Sequence, residues 1–295
     1  MPSDGLVVAA YGRRYRVEFP GGRLIECSTR GKKSDVACGD RVSVRLSEAD
    51  SGVIEAVLPR ATLLYRSDAH RQKLIAANVT QAVIVVAARP GFYDELINRC
   101  LAACAHADIA ALIVLNKIDL PESAAASVAL HVYETLGCRV LGLSAKQDVS
   151  QLKPLLVAHT SVLVGQSGMG KSTIINSLIP ESNLRVAEIS EVLDSGRHTT
   201  TRTALYHLDE ATHIIDSPGM QLFGLNHLDI EDTARAFVEF RPYLGQCRFR
   251  NCRHLAEPDC AIAAACAQGG IAGLRLAAYR KIAEERLRAH ARRFD

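Results

Sequence analysis

Residues 161–172 read Ser161-Val162-Leu163-Val164-Gly165-Gln166-Ser167-Gly168-Met169-Gly170-Lys171-Ser172. An apolar run feeds a glycine-rich loop, and Lys-Ser then opens the helical stretch Ser172–Leu178. This is G-x-x-x-x-G-K-[ST] in the strand–loop–helix setting the motif requires. Glycines let backbone N–H groups wrap phosphate oxygens, Lys171 brings a cation to the β- and γ-phosphates, and Ser172 offers a hydroxyl to Mg²⁺. The stretch predicts nucleotide contacts from Gly165, Gln166, Ser167, Gly168, Met169, Gly170, Lys171, Ser172 and Thr173. A glycine turn with a chance lysine is the plainer alternative, and the flanking strand and helix weigh against it.

Upstream, Asn116-Lys117-Ile118-Asp119 follows the apolar strand Ala111–Leu115, where a parallel sheet places its ligand loops. A carboxylate at Asp119 accepts from guanine N1–H and N2–H₂. Adenine would set a lone pair against it, so the motif selects guanine over adenine. Asn116 would hold the loop and the other edge of the base, and the Lys117 stem would cover a ring face. Ser144-Ala145-Lys146, after the strand Arg139–Leu143, resembles the further guanine loop of GTPases, in which the Ala145 N–H meets the base oxygen. Downstream, Asp216-Ser217-Pro218-Gly219 follows the strand His213–Ile215. Asp216 would reach Mg²⁺ through water and the Gly219 N–H the γ-phosphate. Between them, Ser195–Thr201 reads as a switch segment, with Thr200 the chosen Mg²⁺ ligand beside Ser172 and Asp216. The residue after Gly219 is Met220 rather than the water-orienting glutamine of Ras-like proteins, so another group must do this; His198, two residues before Thr200, is either that group or a solvent-facing loop histidine, and the family resemblance given below favours the first. Lys171, Thr200 and His198 form the predicted catalytic set.

The usual GTPase order places the P-loop first. Here Asn116 and Ser144 precede Gly165, so the domain reads as circularly permuted. Before it, five short strands (Gly5–Tyr11, Tyr15–Phe19, Arg23–Cys27, Arg41–Leu46, Gly52–Leu58) punctuated by Pro20-Gly21-Gly22 and Gly39-Asp40 predict a small OB-type barrel. Arg13, Arg14, Arg30, Lys32 and Lys33 fall in or beside its loops. Apolar strands then alternate with Ala-rich helices such as Asp94–Ala107, which implies a mostly parallel sheet. The last stretch holds short helices and a long one from about Ala272 to Arg292. The expected organisation is a multidomain α/β chain: barrel over 1–62, permuted P-loop GTPase domain over 63–225, and a helical zinc domain over 226–295.

The zinc expectation rests on Cys247-x4-Cys252-x-His254-x5-Cys260, enough for a closed tetrahedral Cys₃His site of the structural kind, one Zn²⁺ per chain. Cys266 could replace Cys260. With 48% hydrophobic and 23% charged residues in 295, the chain is globular rather than disordered. Nine cysteines, an odd number, and no signal-like start over Met1–Gly12 favour reduced thiols and a cytoplasmic protein. No apolar run approaches the roughly 18 residues needed to cross a bilayer. From Arg241 onward eleven Lys and Arg face five acids, net +6, which fits a polyanionic partner or a merely solvated basic face.

Together, Asn116–Asp119, Gly165–Ser172, Gly196–Thr201, Asp216–Gly219 and the Cys247–Cys260 spacing closely resemble one family, the bacterial ribosome small-subunit-dependent GTPase A, known as RsgA or YjeQ. The resemblance spans essentially the whole chain. It implies hydrolysis of GTP to GDP and phosphate with Mg²⁺, low by itself and stimulated by the 30S subunit and its 16S rRNA, in late maturation of that subunit. A monomer without a membrane partner is expected. Two other readings compete: a P-loop ATPase or small-molecule kinase, against which Asn116–Asp119 speaks, and an RNA-binding scaffold holding GTP structurally, against which the switch segment speaks.

Overall fold

The structure, a computed structural model, describes residues 3–30, 35–47, 51–67, 72–179, 203–219 and 223–291. His198, Thr200, Met220, Lys32 and Lys33 lie outside the described residues.

Five strands, β1 (Ser3–Tyr11), β2 (Arg14–Glu18), β3 (Leu24–Thr29), β4 (Arg41–Leu46) and β5 (Ser51–Val57), close on themselves in the order β1-β2-β3-β5-β4-β1. Alternation drives this closure: Tyr15, Val17, Ile25, Cys27, Val42 and Val44 point inward and bury together, while the residues between them face out. The result is the OB-type barrel.

A hairpin, β6 (Leu63–Ser67) with β7 (Gln72–Ala77), then leads into β8 (Gln81–Ala87). Next come α1 (Asp94–His106), β9 (Ala110–Asn116), α2 (Ser123–Glu134), β10 (Arg139–Leu143), α3 (Lys153–Leu156), β11 (Thr160–Val164), α4 (Lys171–Leu178), β12 (Thr203–His207) and β13 (His213–Asp216). The strands line up as β10-β9-β8-β11-β13-β12, parallel except for β12. Every residue of β8 is buried, as a strand covered on both faces must be. The chain walks outward from β8 to β10, returns to β11 on the other side of β8, and so places its topological switch point between β8 and β11.

The hairpin β6–β7 and strand β12 leave no clear mark in the sequence. Strand β12 has one wholly buried residue, Leu205, so it carries little apolar signal. It forms because it pairs with β13 on one side and with β1 of the barrel on the other, through Ala9↔Ala204 and Ala10↔Thr203. Barrel and central sheet therefore run on as one sheet.

A second junction lies below. The Asp40 carboxylate, fully buried, receives Arg60 Nε at 2.6 Å and Arg60 Nη2 at 2.7 Å. Gly39, at φ +90°, presses so closely on β7 that a Cβ there would meet the Ala77 oxygen at 2.2 Å.

The C-terminal stretch contributes α5 (Ile230–Ala236), a 3₁₀ turn over Val238–Tyr243, α6 (Ala261–Ala267) and α7 (Gly273–Ala291). Asp229 caps α5 by accepting from the Asp232 N–H at 2.7 Å. Phe237, Phe240 and Tyr279 stack with centroids 5.2–5.6 Å apart, and this cluster is continuous with the core beneath α1. The basic tail is largely engaged within the molecule. Arg275 pairs with Glu239, Lys281 with Glu95 and Arg288 with Glu284, while Arg286 Nε donates to the Leu228 oxygen at 3.0 Å. Of the acids engaged, only Glu239 and Glu95 are not already counted in the net +6, and Glu285 of the tail is itself held by Arg99, so the stretch keeps most of its net charge.

Candidate functional site

Strands β8, β9, β11 and β13 end on the same side of the sheet, and their loops surround a cleft of ≈ 530 Å³. Its walls bring together Asn116, Lys117 and Asp119, then Ser144, Ala145 and Lys146, then Ser167, Gly168, Gly170, Lys171, Ser172 and Thr173, with Gly219. Segments that are up to about a hundred residues apart in the chain thus meet at the switch point. Leu120 also lines the cleft, an apolar surface that lies just outside the N-K-x-D motif. Of the remaining predicted residues, Met169 is buried in the core under the loop, Ile118 is 44% exposed outside the cleft, and Gly165 and Gln166 form the loop's buried entrance.

Two loop glycines are required by what faces them. A Cβ on Gly165, at φ +154°, would stand 2.3 Å from the Val85 oxygen of β8. On Gly170, at φ +93°, it would stand 2.2 Å from Asn116 Nδ2. The loop is thereby seated against β8 and against the Asn116 side chain. Asn116, 2% exposed, joins three segments: Nδ2 donates to the Met169 oxygen at 2.9 Å, and Oδ1 accepts from the Lys117 N–H at 2.8 Å and the Ala145 N–H at 3.0 Å. The Ala145 N–H, expected at a base oxygen, is here the partner of Asn116. Lys117 stretches across, its Nζ donating to the oxygens of Arg89 and Gly168, both at 2.7 Å.

Electrostatics concentrate at Lys171 and Asp216. Lys171 Nζ donates to the oxygens of Gly165 at 2.9 Å and Gln166 at 3.0 Å. An ammonium has three donors, so one is left for a ligand. Burial lowers its pKa, opposed by the charge of Asp216. Burial conversely pushes the Asp216 carboxyl up to about 6, with Lys171 pulling the other way. Asp216 Oδ1 is sealed from solvent with no hydrogen-bond partner among the described residues. A buried, unsatisfied carboxylate oxygen beside a phosphate-type loop suits a hard divalent cation; Ser172 lines the cleft, whereas Asp216 itself lies beneath it and is not among its lining residues. At the far end the Ser144 hydroxyl, above all, holds the exposed Asp119 carboxyl below its ordinary value, so it is an acceptor at neutral pH.

A second cluster sits in the C-terminal unit. Ligand atoms of Cys247, Cys252, His254 and Cys260 all lie within 4.8 Å of one another. The three sulfurs stand 3.5, 3.5 and 3.4 Å from His254 Nδ1, and Cys247 Sγ is 3.9 Å from Cys260 Sγ. A tetrahedron with Zn–S of about 2.3 Å and Zn–N of about 2.0 Å has edges of roughly 3.8 and 3.5 Å, so the four side chains fit Zn²⁺. Cys266 is not part of this group among the described residues.

Among the described residues no helix is long and apolar enough to cross a membrane. The profile of the RsgA GTPase family matches residues 57–226. Curated relatives include the small ribosomal subunit biogenesis GTPase RsgA of Nitrosomonas europaea, 50% identical over 290 residues that cover 97% of this chain and 92% of the relative. That of Nitrosospira multiformis is 52% identical over 282 residues, covering 95% and 90%. Of solved structures, YjeQ from Thermotoga maritima aligns with a TM-score of 0.72 at 29% identity, over 97% of this chain and 99% of that one. YloQ, described as a circularly permuted GTPase, gives 0.68 at 25% identity over 97% and 95%. Half-identity along nearly the whole chain, joined to a matching profile across the sheet that carries the cleft, makes this protein a GTP-hydrolysing member of the RsgA GTPase family.

Proposed function

We propose that the chain hydrolyses GTP to GDP and phosphate in response to the 30S ribosomal subunit, as a late assembly factor of that subunit acting in the cytoplasm as a monomer on 16S rRNA. The observation carrying this reading is the convergence of both guanine-type loops and the P-loop on one cleft. The names of the relatives, small ribosomal subunit biogenesis GTPases, supply the particle.

In this reading Asp119 accepts from the guanine N1–H and N2–H₂, the Lys117 stem lies over the ring, and the Ser144–Lys146 loop meets the remaining base edge. Asn116 acts by holding the three loops in register. Gly165 to Gly170 supply backbone N–H groups to the β- and γ-phosphates, and the free donor of Lys171 adds a cation there, where charge builds in phosphoryl transfer. Ser172 and Asp216 would hold Mg²⁺, joined by Thr200. When bound, the ion would help neutralise the charge that develops on the phosphate oxygens. His198 accepts from the attacking water and orients it. Replacing His198 by Ala is expected to leave GTP affinity near wild type while subunit-stimulated turnover falls about 100- to 10,000-fold. Cys247, Cys252, His254 and Cys260 would hold one structural Zn²⁺ that keeps the C-terminal unit folded.

Phosphate release from GTP and ATP, measured with and without purified 30S subunits, tests the whole reading. GTP turnover is expected to rise with subunits present and ATP to stay inert. Equal turnover of both nucleotides, or GTP turnover indifferent to the subunit, overturns it.

A further inference from the structure

The loop between the first two metal-type ligands reads Cys247-Arg248-Phe249-Arg250-Asn251-Cys252, followed by Arg253. Residues 248–251 are all exposed, and Phe249 keeps 42% of its surface in solvent. The loop is nevertheless pinned. The Cys252 N–H bonds to the Phe249 oxygen at 3.2 Å, the Arg248 N–H to the Asp259 oxygen at 3.3 Å, and the Tyr279 hydroxyl of α7 to the Arg253 oxygen at 2.7 Å. The Arg248 guanidinium lies 5.4 Å from the Phe249 ring centroid, on the cation–π scale, and its charge is met by Asp259 at 2.8 Å. The side chains of Arg250 and Arg253 take no hydrogen bond or ion pair among the described residues. Glu257, the nearby acid, spends its oxygens on the N–H groups of Arg253, Leu255 and Ala256.

We infer that this knuckle is a stacking platform for an unpaired RNA base, with Phe249 under the base and Arg250 and Arg253 on the flanking phosphates. An exposed ring on a rigid loop, backed by one guanidinium and flanked by two unneutralised ones, matches single-stranded nucleic acid better than protein. Bases in a duplex keep their faces stacked, whereas an unpaired base offers one to an aromatic ring. The inference specifies how the subunit proposed above as partner is gripped, and so rests on that reading.

The chain contains no tryptophan, so Phe249→Trp places a single indole at the contact. Its fluorescence is expected to be quenched by a short single-stranded oligoadenylate and by 30S subunits, and unchanged by the same oligonucleotide annealed to its complement. Phe249→Ala is expected to weaken binding to 30S subunits roughly five- to 150-fold, the range of base–aromatic stacking, with the salt dependence unaltered. Arg250→Ala combined with Arg253→Ala should instead flatten the dependence of log affinity on log salt by about two phosphate contacts. Zinc content and subunit-free GTP turnover should match the wild type in all three. An indole silent to single-stranded RNA overturns the inference. So does a loss of subunit affinity in Phe249→Ala accompanied by crosslinking of the knuckle to a ribosomal protein. If the wild type itself fails to bind 30S subunits, the reading of the partner falls, and the oligonucleotide titration still decides the stacking.

Discussion

Asp216 shows how burial turns one residue into a pH-dependent element of a site. Its carboxyl, pushed up to about 6 by desolvation, must lose its proton to hold a cation. Protons compete with Mg²⁺ below that value, so Mg²⁺ affinity in the presence of GTP should be nearly constant above about pH 7. It should fall by up to about tenfold per unit below pH 6. A Mg²⁺ titration of GTP turnover at several pH values checks this, and a flat profile down to pH 5 would remove Asp216 from the metal. Asp119 stands at the other end of the cleft with its carboxyl held below the ordinary value. Asp119→Asn should weaken GTP and favour xanthine nucleotide, whose 2-oxo group accepts from the new amide. Competition of the two nucleotides for the variant is the direct measurement.

At the scale of elements, the hairpin β6–β7 is clasped to the segment that follows the Asp216 loop. Ser67 bridges to Leu225, its hydroxyl meets His227 Nδ1 at 2.8 Å, and the Tyr65 ring lies 4.1 Å from the His227 ring. Burial, then His106 and Arg286, drive the His227 pKa down to about 4 from 6.5. A histidine depressed in the fold contributes stability above its unfolded pKa, lost as pH falls from 6.5 through 4, because the unfolded chain takes up the proton first. Denaturant titrations should show that His227→Gln loses about 1–2 kcal/mol less than the wild type over that window.

The α1–α7 contact is of another kind. Arg275, 1% exposed, gives Nε to Glu239 at 2.6 Å and Nη1 to Asn98 at 2.6 Å, over the face of Phe237. Truncating it strands a buried carboxylate, so Arg275→Ala should cost about 3–5 kcal/mol by chemical denaturation. Replacing Arg275 and Glu239 together by apolar residues should recover much of that loss.

For the whole molecule, the permutation sets what is attached to the nucleotide cleft. Strand β12 pairs on one side with β13, whose last residue is Asp216, and on the other with barrel strand β1, so a single strand separates the barrel from the element that carries the buried carboxylate. On the opposite face, Arg99 of α1 holds Glu285 of α7 at 2.7 Å, and the C-terminal unit shares its core with α1. Purified protein should contain about one zinc per chain. Its removal by chelator should unfold the C-terminal unit, read as lost protection of α6 amides to hydrogen exchange, while the barrel strands stay protected. Cys260→Ser should lower the zinc content, and full retention would return Cys266 to consideration.

The local patterns were legible because each is a property of neighbours in the chain. The glycine and lysine spacing of 165–172, the Asn116–Asp119 and Asp216–Gly219 turns at strand ends, the alternation along β2 and β4, and the Cys–His spacing of 247–260 need no knowledge of what lies across the fold. Only the tertiary structure decided that Asn116 ties together loops 29 and 53 residues away. It also made β12 a strand with weak apolar signal by giving it two partners, and engaged much of the basic tail in pairs such as Lys281 with Glu95, 186 residues apart. Pairing and desolvation depend on which distant groups arrive at the same place. The unsatisfied Asp216 oxygen and the free arginines beside Phe249 therefore become visible only once the chain has folded.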